Sequence, residues 1–342
     1  MVMMPAVYLQ TNDAAGNEVL AFSRAADGSL SPAGRYPSGG RGSGQRHLAS
    51  AGSVVLSPDL RWLLVTNAGS NELSLFEVTP EGLRLADRTE SGGDNPTSVT
   101  VNGSLVYVLN NNSASISGFR VADGQLTGLP GSSRPLSGPG ADPAQVSFTP
   151  DGTMLLVTER GTNSISRYLV DDRGYAGGLA TIKSSGQTPY GIACTSSGTV
   201  LVTEAFGGAV GEAAASSYVI AEGDQLMLVT GTVGSARTEV CWAVVTGDDR
   251  FTFVTNFGDG TISSYLVATD GQLSLLAAVA GATGRAAKGL RDEALSADGR
   301  YLYAIDPDAG QLLGWAVNGE GQLSPVGGVN GMAATVAGLA AG

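Results

Sequence analysis

Apolar and polar positions alternate along this chain in a fixed phrase. A continuous apolar run ends in Asn, Glu or Asp, crosses a Gly/Ser-rich turn and leads into a second apolar run. The copies are VYLQTNDAAGNEVLAF, LLVTNAGSNELSLF, VYVLNNNSASISGF, LLVTERGTNSISRY, VLVTEAFGGAVGEAAASSY, TFVTNFGDGTISSY and LYAIDPDAGQLLGW. The polar residue closing the first run is Asn12, Asn67, Asn110, Glu159, Glu204, Asn256 and Asp306 in turn, at intervals of about 43 to 55 residues. That period suits a four-stranded unit which cannot bury both faces alone and must stack radially around a channel. The pattern predicts an all-β, seven-bladed propeller formed as a single domain over residues 1–342.

Residues 142–187 show one blade. DPAQVSF is a first strand and TPDGT a tight turn. MLLVT is a second strand, apolar without interruption and so buried on both faces. ISRYLV alternates as a third strand, and LATIKS lies outermost. The chain begins at VYLQT, which matches a second strand, so blade one lacks its innermost strand. TVAGLAA near the C-terminus is expected to supply it, closing the ring and removing free sheet edges.

Composition narrows the function. Fifty glycines suit a turn-dense β protein. The net charge of -12, with only two lysines and no basic run, argues against nucleic acid as a partner. His47 is the only histidine, so no Cys/His cluster has zinc spacing. Cys194 and Cys241 are expected to be unpaired thiols. No apolar run reaches transmembrane length, so a membrane is not expected as a partner. MVMMPAVYLQTND lacks a basic leader. A cytoplasmic location is expected, with secretion open if a signal peptide has been removed. Nothing in the sequence sets an oligomeric state.

In a four-stranded meander, the turn after the second strand and the link to the next blade leave on one face, and the Asp-Gly turns leave on the other. The seven polar strand ends therefore share a rim with the links GQRHLASAG, GGDNPTS, GADPAQ, GQTPYG, ARTEVCW and GLRDEA. These links carry His47, Gln145, Arg237, Trp242, Arg291 and Asp292. Polar and aromatic groups gathered at one mouth mark the expected place for a small-molecule substrate. A plainer reading stands beside this one. Asn or Asp at a strand end commonly caps its own turn, and Glu159 could pair with Arg160. No nucleophile elbow, phosphate-cradling loop or Cys/His dyad is present.

The phrases SPDLRWLLVTNAGSNELSLFEV, TPDGTMLLVTERGTNSISRYLV and SADGRYLYAIDPDAGQLLGWAV resemble the seven-bladed lactonase family, which includes bacterial 6-phosphogluconolactonases and fungal carboxymuconate lactonizing enzymes. The resemblance extends over the whole chain. It implies a His in the link into blade three, an Arg-His pair in the link into blade four, a Glu closing the second strand of blade four and a later Arg after a second strand. This chain has NPTSV in the first of those links, Ala144 and Gln145 at the pair, and Phe257 at the later position; Glu159 matches.

The expected function is hydrolysis or isomerisation of a small lactone or organic acid. Glu159 and Glu204 are candidate acid–base groups, and Arg237 or Arg291 would stabilise an oxyanion. His47, Asn67, Asn110, Gln145, Trp242, Asn256, Asp292 and Asp306 are candidate substrate contacts. The rivals are a non-catalytic binding propeller and a metal-dependent hydrolase. In the latter, Glu159, Glu204, Asn110, Asn256 and Asp306 would hold Ca²⁺ through oxygen ligands. No other cofactor is expected.

Overall fold

The computed structural model describes residues 5–285 and 287–342. Its strands form seven antiparallel sheets, each a meander running outward from the channel. The inner strands are Ala337–Ala341, Val54–Leu56, Pro96–Asn102, Pro143–Phe148, Pro189–Cys194, Val240–Val245 and Arg291–Leu295 for blades one to seven. Each packs against the next, and Arg291–Leu295 meets Ala337–Ala341 to complete the ring. The closing strand pairs with Ala6–Gln10, Tyr8 facing Ala340, which is the closure the sequence predicts.

The continuous apolar second strands follow from radial packing. In blade two, Leu63 and Val65 face blade one while Leu64 faces blade three. In blade four, Leu155 and Val157 face blade three while Met154 and Leu156 face blade five. The core is accordingly divided into apolar layers, one at each blade–blade interface, and a strand inside a blade is buried on both sides. The first turns repeat another device. Ser or Thr hydroxyls at Thr149, Thr246 and Ser296 donate to Asp151, Asp248 and Asp298 at 2.6 Å, tying each hairpin tip.

In blades four and five the threonine before the polar strand end stitches neighbouring blades. Thr158 Oγ1 donates to the Tyr190 carbonyl at 2.5 Å, and Thr203 Oγ1 to the Cys241 carbonyl at 2.6 Å. The acceptors lie where the inner strands bulge, with register shifts between Pro189 and Ile192 and between Val240 and Ala243. A bulge re-aims side chains, here around the channel. Gly338 of the closing strand sits at φ 65°, and a Cβ there would collide with Ser53 of blade two, so glycine is needed at that closure. Cys194 and Cys241 are both free, Cys241 buried and Cys194 partly so. No helix among the described residues is long and apolar enough to cross a membrane.

Candidate functional site

The register places the polar strand ends and the inter-blade links on one rim, as Pro143 pairs with Glu159 and Glu159 with Ser164. The polar ends nevertheless do not converge. In blades two to six each turns into its own blade toward the third strand. Asn67 Nδ2 donates to Ser74 Oγ at 2.8 Å, Asn110 Nδ2 to Ser117 Oγ at 3.4 Å and Asn256 Nδ2 to Ser263 Oγ at 2.8 Å. Ser166 Oγ donates to Glu159 at 2.5 Å, and Ser216 Oγ to Glu204 at 2.6 Å.

Glu159 is fully buried. Its carboxyl group also accepts from the Ser137 amide at 3.2 Å, the Ser137 hydroxyl and Thr162 Oγ1 at 2.8 Å. Arg160 does not pair with it but with Asp142, at 2.6 Å. Glu204 takes the Gly186 amide at 2.7 Å, and burial raises its carboxyl pKa. Asp306 accepts from the Ala309 amide at 3.0 Å and lies 4.0 Å from Arg285; burial raises its pKa as well. The oxygen set expected for Ca²⁺ is thus divided among five blades. Among the described residues, no three His, Cys, Asp or Glu side chains are grouped to hold a metal.

What does converge comes from the links and bulges. Residues 38–53, between blades one and two, form a strap over the channel. Asn12 holds it outward of the channel, its Oδ1 taking the Ser43 amide at 2.8 Å and its Nδ2 donating to the Gln45 carbonyl at 3.2 Å. Further along, the Ala51 amide donates to the Ala144 carbonyl of blade four at 3.1 Å. Trp242 of blade six donates Nε1–H to the Ser50 carbonyl at 3.2 Å, and Arg291 of blade seven donates to the Arg46 carbonyl. Contacts to blades four, six and seven require the strap to cross the mouth.

The strap's His47 completes an aromatic plate at the mouth. His47 stacks on Phe257, ring centres 5.1 Å apart and 11° from parallel, and meets Trp242 at 6.2 Å; Tyr190 meets Trp242 at 5.4 Å. Arg291 lies 5.1 Å above Phe257, Lys288 5.9 Å from the same ring and Arg160 5.2 Å above Tyr190. Each cation already has a carboxylate: Asp308 at 3.3 Å for Arg291, Glu239 at 3.5 Å for Lys288 and Asp142 for Arg160. Burial, then Arg291 and Arg160, hold His47 down at about 4, so its imidazole is neutral at pH 7. His47 Nε2, the Tyr190 hydroxyl and Arg291 Nε are buried without hydrogen-bond partners.

Below the plate, a cavity of about 270 Å³ follows the inner strands from Ala51 and Trp242 to Leu56 and Ala341 at the hairpin side. Asp292 and Glu293 line it. Burial lifts Asp292 to about 7, against the pull of the Gly338 amide and Arg291. Burial also raises Glu293 well above the usual carboxyl range. The backbone of Thr255 is nearby, but neither Glu293 oxygen makes a well-formed hydrogen bond.

The remaining candidates divide. Gln145 bonds the backbone of Ile192 in blade five, its Nε2 donating to the Ile192 carbonyl at 3.1 Å and its Oε1 accepting from the Ile192 amide at 2.8 Å. Arg237 lies in the link into blade six with Nε buried and unpartnered, and no ion pair or ring contact joins it to Arg291 among the described residues. Sequence reasoning passed over Tyr190, Arg160 and Lys288 as mouth residues, and Glu293 as a channel residue. The link GLRDEA did carry a signal, two consecutive acids opening a strand.

The family profile described as lactonase, 7-bladed beta-propeller, matches residues 13–139 and 131–205. An uncharacterized protein of Staphylococcus saprophyticus is 28% identical over 155 residues, 43% of this chain and 44% of its own length. The chain therefore spans under half of that curated relative. Among solved structures, a protein from Lactobacillus plantarum superposes with a TM-score of 0.78 at 16% identity, over 99% of both chains. A putative 6-phosphogluconolactonase from Bacteroides uniformis gives 0.75 at 17%, over 98% of this chain and 99% of its own. A periplasmic gluconolactonase from Pseudomonas aeruginosa gives 0.72 at 18%, over 99% of both. At these identities the structural matches establish the fold, and the profile establishes the kinship: this chain belongs to the lactonase family of seven-bladed β-propellers.

Proposed function

We propose that the chain hydrolyses a small, uncharged lactone at the strap-covered mouth. The observation that carries this reading is the neutral His47 held against Phe257 between Arg160 and Arg291. In this reading the imidazole takes a proton from the attacking water and returns it to the ring oxygen as the acyl C–O bond breaks. The unused Nε–H of Arg291 donates to the carbonyl oxygen as negative charge develops there. The aromatic plate offers a flat apolar surface for a lactone ring. Since Arg160, Arg291 and Lys288 are each already paired with a carboxylate, an uncharged substrate fits better than a phosphorylated one, which would call for unpaired cations.

Turnover of glucono-1,5-lactone and of its 6-phosphate by the wild type, His47→Gln and Arg291→Met tests this. The unphosphorylated lactone is expected to be the better substrate. Each variant is expected to lose about 10² or more in kcat. Wild-type rates no higher than spontaneous hydrolysis for both compounds, or full activity in both variants, would sink it. The second reading is a binding-only propeller. It draws support from Glu159, the residue matching the family pattern, whose carboxyl group is enclosed by its own blade and the adjoining link.

A further inference from the structure

We propose that the central channel is a second ligand site, distinct from the mouth, in which Glu293 binds the ammonium group of a small aliphatic amine. Glu293 is 7% exposed, its two carboxyl oxygens lack partners, and it lines the channel cavity. A buried carboxyl group without a donor costs the full desolvation of its oxygens. At Glu293 only the nearby Thr255 backbone opposes this, without a well-formed hydrogen bond, whereas Glu159 takes donors from Ser137, Thr162 and Ser166. The neighbouring Thr255 Oγ1 is also buried and unpartnered. Glu293 and Thr255 together leave hydrogen-bonding capacity unused beside the channel.

The cavity walls select the ligand. Val54, Val55, Leu56, Leu339 and Ala340 supply an aliphatic lining, and Trp242 supplies an aromatic face. A bare divalent cation wants six or more oxygen ligands, which such walls cannot give. A short alkylammonium displaces to solvent the proton that burial favours on Glu293 and places its charge at Glu293 and Asp292, within reach of the Trp242 ring, and its chain against the aliphatic strands. A volume of about 270 Å³ admits a molecule of a few heavy atoms and little more. The strap and Trp242 close the channel on the mouth side, so the ligand enters from the hairpin side, past Leu56 and Ala341. This inference is independent of lactone hydrolysis and is tested without it.

The full chain is titrated with n-butylammonium chloride at constant ionic strength, following binding heat and melting temperature. 1-Butanol and CaCl₂ serve as parallel probes. Saturable binding and a raised melting temperature are expected with butylammonium alone. Glu293→Gln, nearly isosteric, is expected to weaken binding about tenfold or more, as for one charge-assisted hydrogen bond. Ala341→Leu, which narrows the hairpin side with the carboxyl group intact, is expected to weaken it likewise. If Glu293→Gln fails to fold, Ala341→Leu carries the comparison. No saturable binding, equal stabilisation by 1-butanol, stabilisation by CaCl₂ instead, or full affinity in the folded variants overturns the proposal.

Discussion

Glu159 and Glu293 are two buried glutamates in one repeating fold, and their surroundings are opposite. Glu159 closes the second strand of blade four and takes donors from Ser137, Thr162 and Ser166. Glu293 lies in the inner strand of blade seven, faces the channel and takes none. The difference comes from radial position. A second-strand end looks toward the third strand, where blades two to six present a serine: Ser74, Ser117, Ser166, Ser216 and Ser263. An inner strand looks toward an opening that no other blade fills. In this propeller, then, Glu159, far from the axis, is a fastening, while Glu293, at the axis, keeps both carboxyl oxygens unpartnered.

Replacing each acid by leucine sharpens the contrast, and Glu159 gives the largest expected effect. Glu159→Leu strands the Ser137 amide and three hydroxyls in a buried site, costing about 4 kcal/mol at roughly 1 kcal/mol or more per abandoned donor. Glu293→Leu removes an unsatisfied group and is expected to be neutral or to stabilise by about 1 kcal/mol. Denaturant unfolding of both variants measures the two changes. Destabilisation of similar size in both would mean that Glu293 is also a fastening and the contrast is false.

The next effect belongs to Asp292, beside Glu293. Its folded pKa of about 7 lies above the unfolded value of about 3.9, so the folded state binds the extra proton between those limits. Stability from this group is therefore full below about pH 4 and falls as pH rises toward 7, at up to about 1.4 kcal/mol per pH unit. Asp292→Asn is expected to flatten that slope, measured as unfolding free energy at pH 4, 5, 6 and 7. A parallel slope in the variant would place the titrating proton elsewhere.

How far the sequence shows these differences depends on how local their causes are. The blades, the hairpin turns and the closing Ala337–Ala341 strand are legible because each rests on strand periodicity within tens of residues. In blades two to six the serine partner of the polar strand end is also local, seven residues on in LLVTNAGSNELS and LLVTERGTNSIS, and it is the signal that separates a fastening from a site. Read without it, Asn67, Asn110, Glu159, Glu204 and Asn256 look as though they face the mouth. The strap is the opposite case. GGRGSGQRHLASAG reads as a surface loop, since its partners Ala144, Trp242 and Arg291 lie 94, 192 and 245 residues from the strap residues they hold. Glu293 was hidden because EALSADGR reads as the start of an ordinary inner strand.

The smallest effect tests the mouth itself. His47 owes its pKa of about 4 first to burial and only then to Arg291 and Arg160. The unfolded imidazole titrates near 6.5, so the unfolded chain binds more protons between those values, and His47 subtracts stability as pH falls from about 6.5 toward 4. Because this is the chain's only histidine, its ring signals in an NMR titration are unambiguous. A midpoint near 4 is expected in the wild type. Arg291→Met should raise it by less than about one unit, since the Phe257 stack and the strap's bonds to Trp242 and Ala144 remain. Lactone turnover, if His47 is the base, should stay level from pH 8 down to about 5 and fall below that. A midpoint near 6.5 would mean that the imidazole is solvated and the strap does not seal the mouth. A midpoint near 4 with turnover falling already below pH 7 would leave the strap in place and move the base to another group.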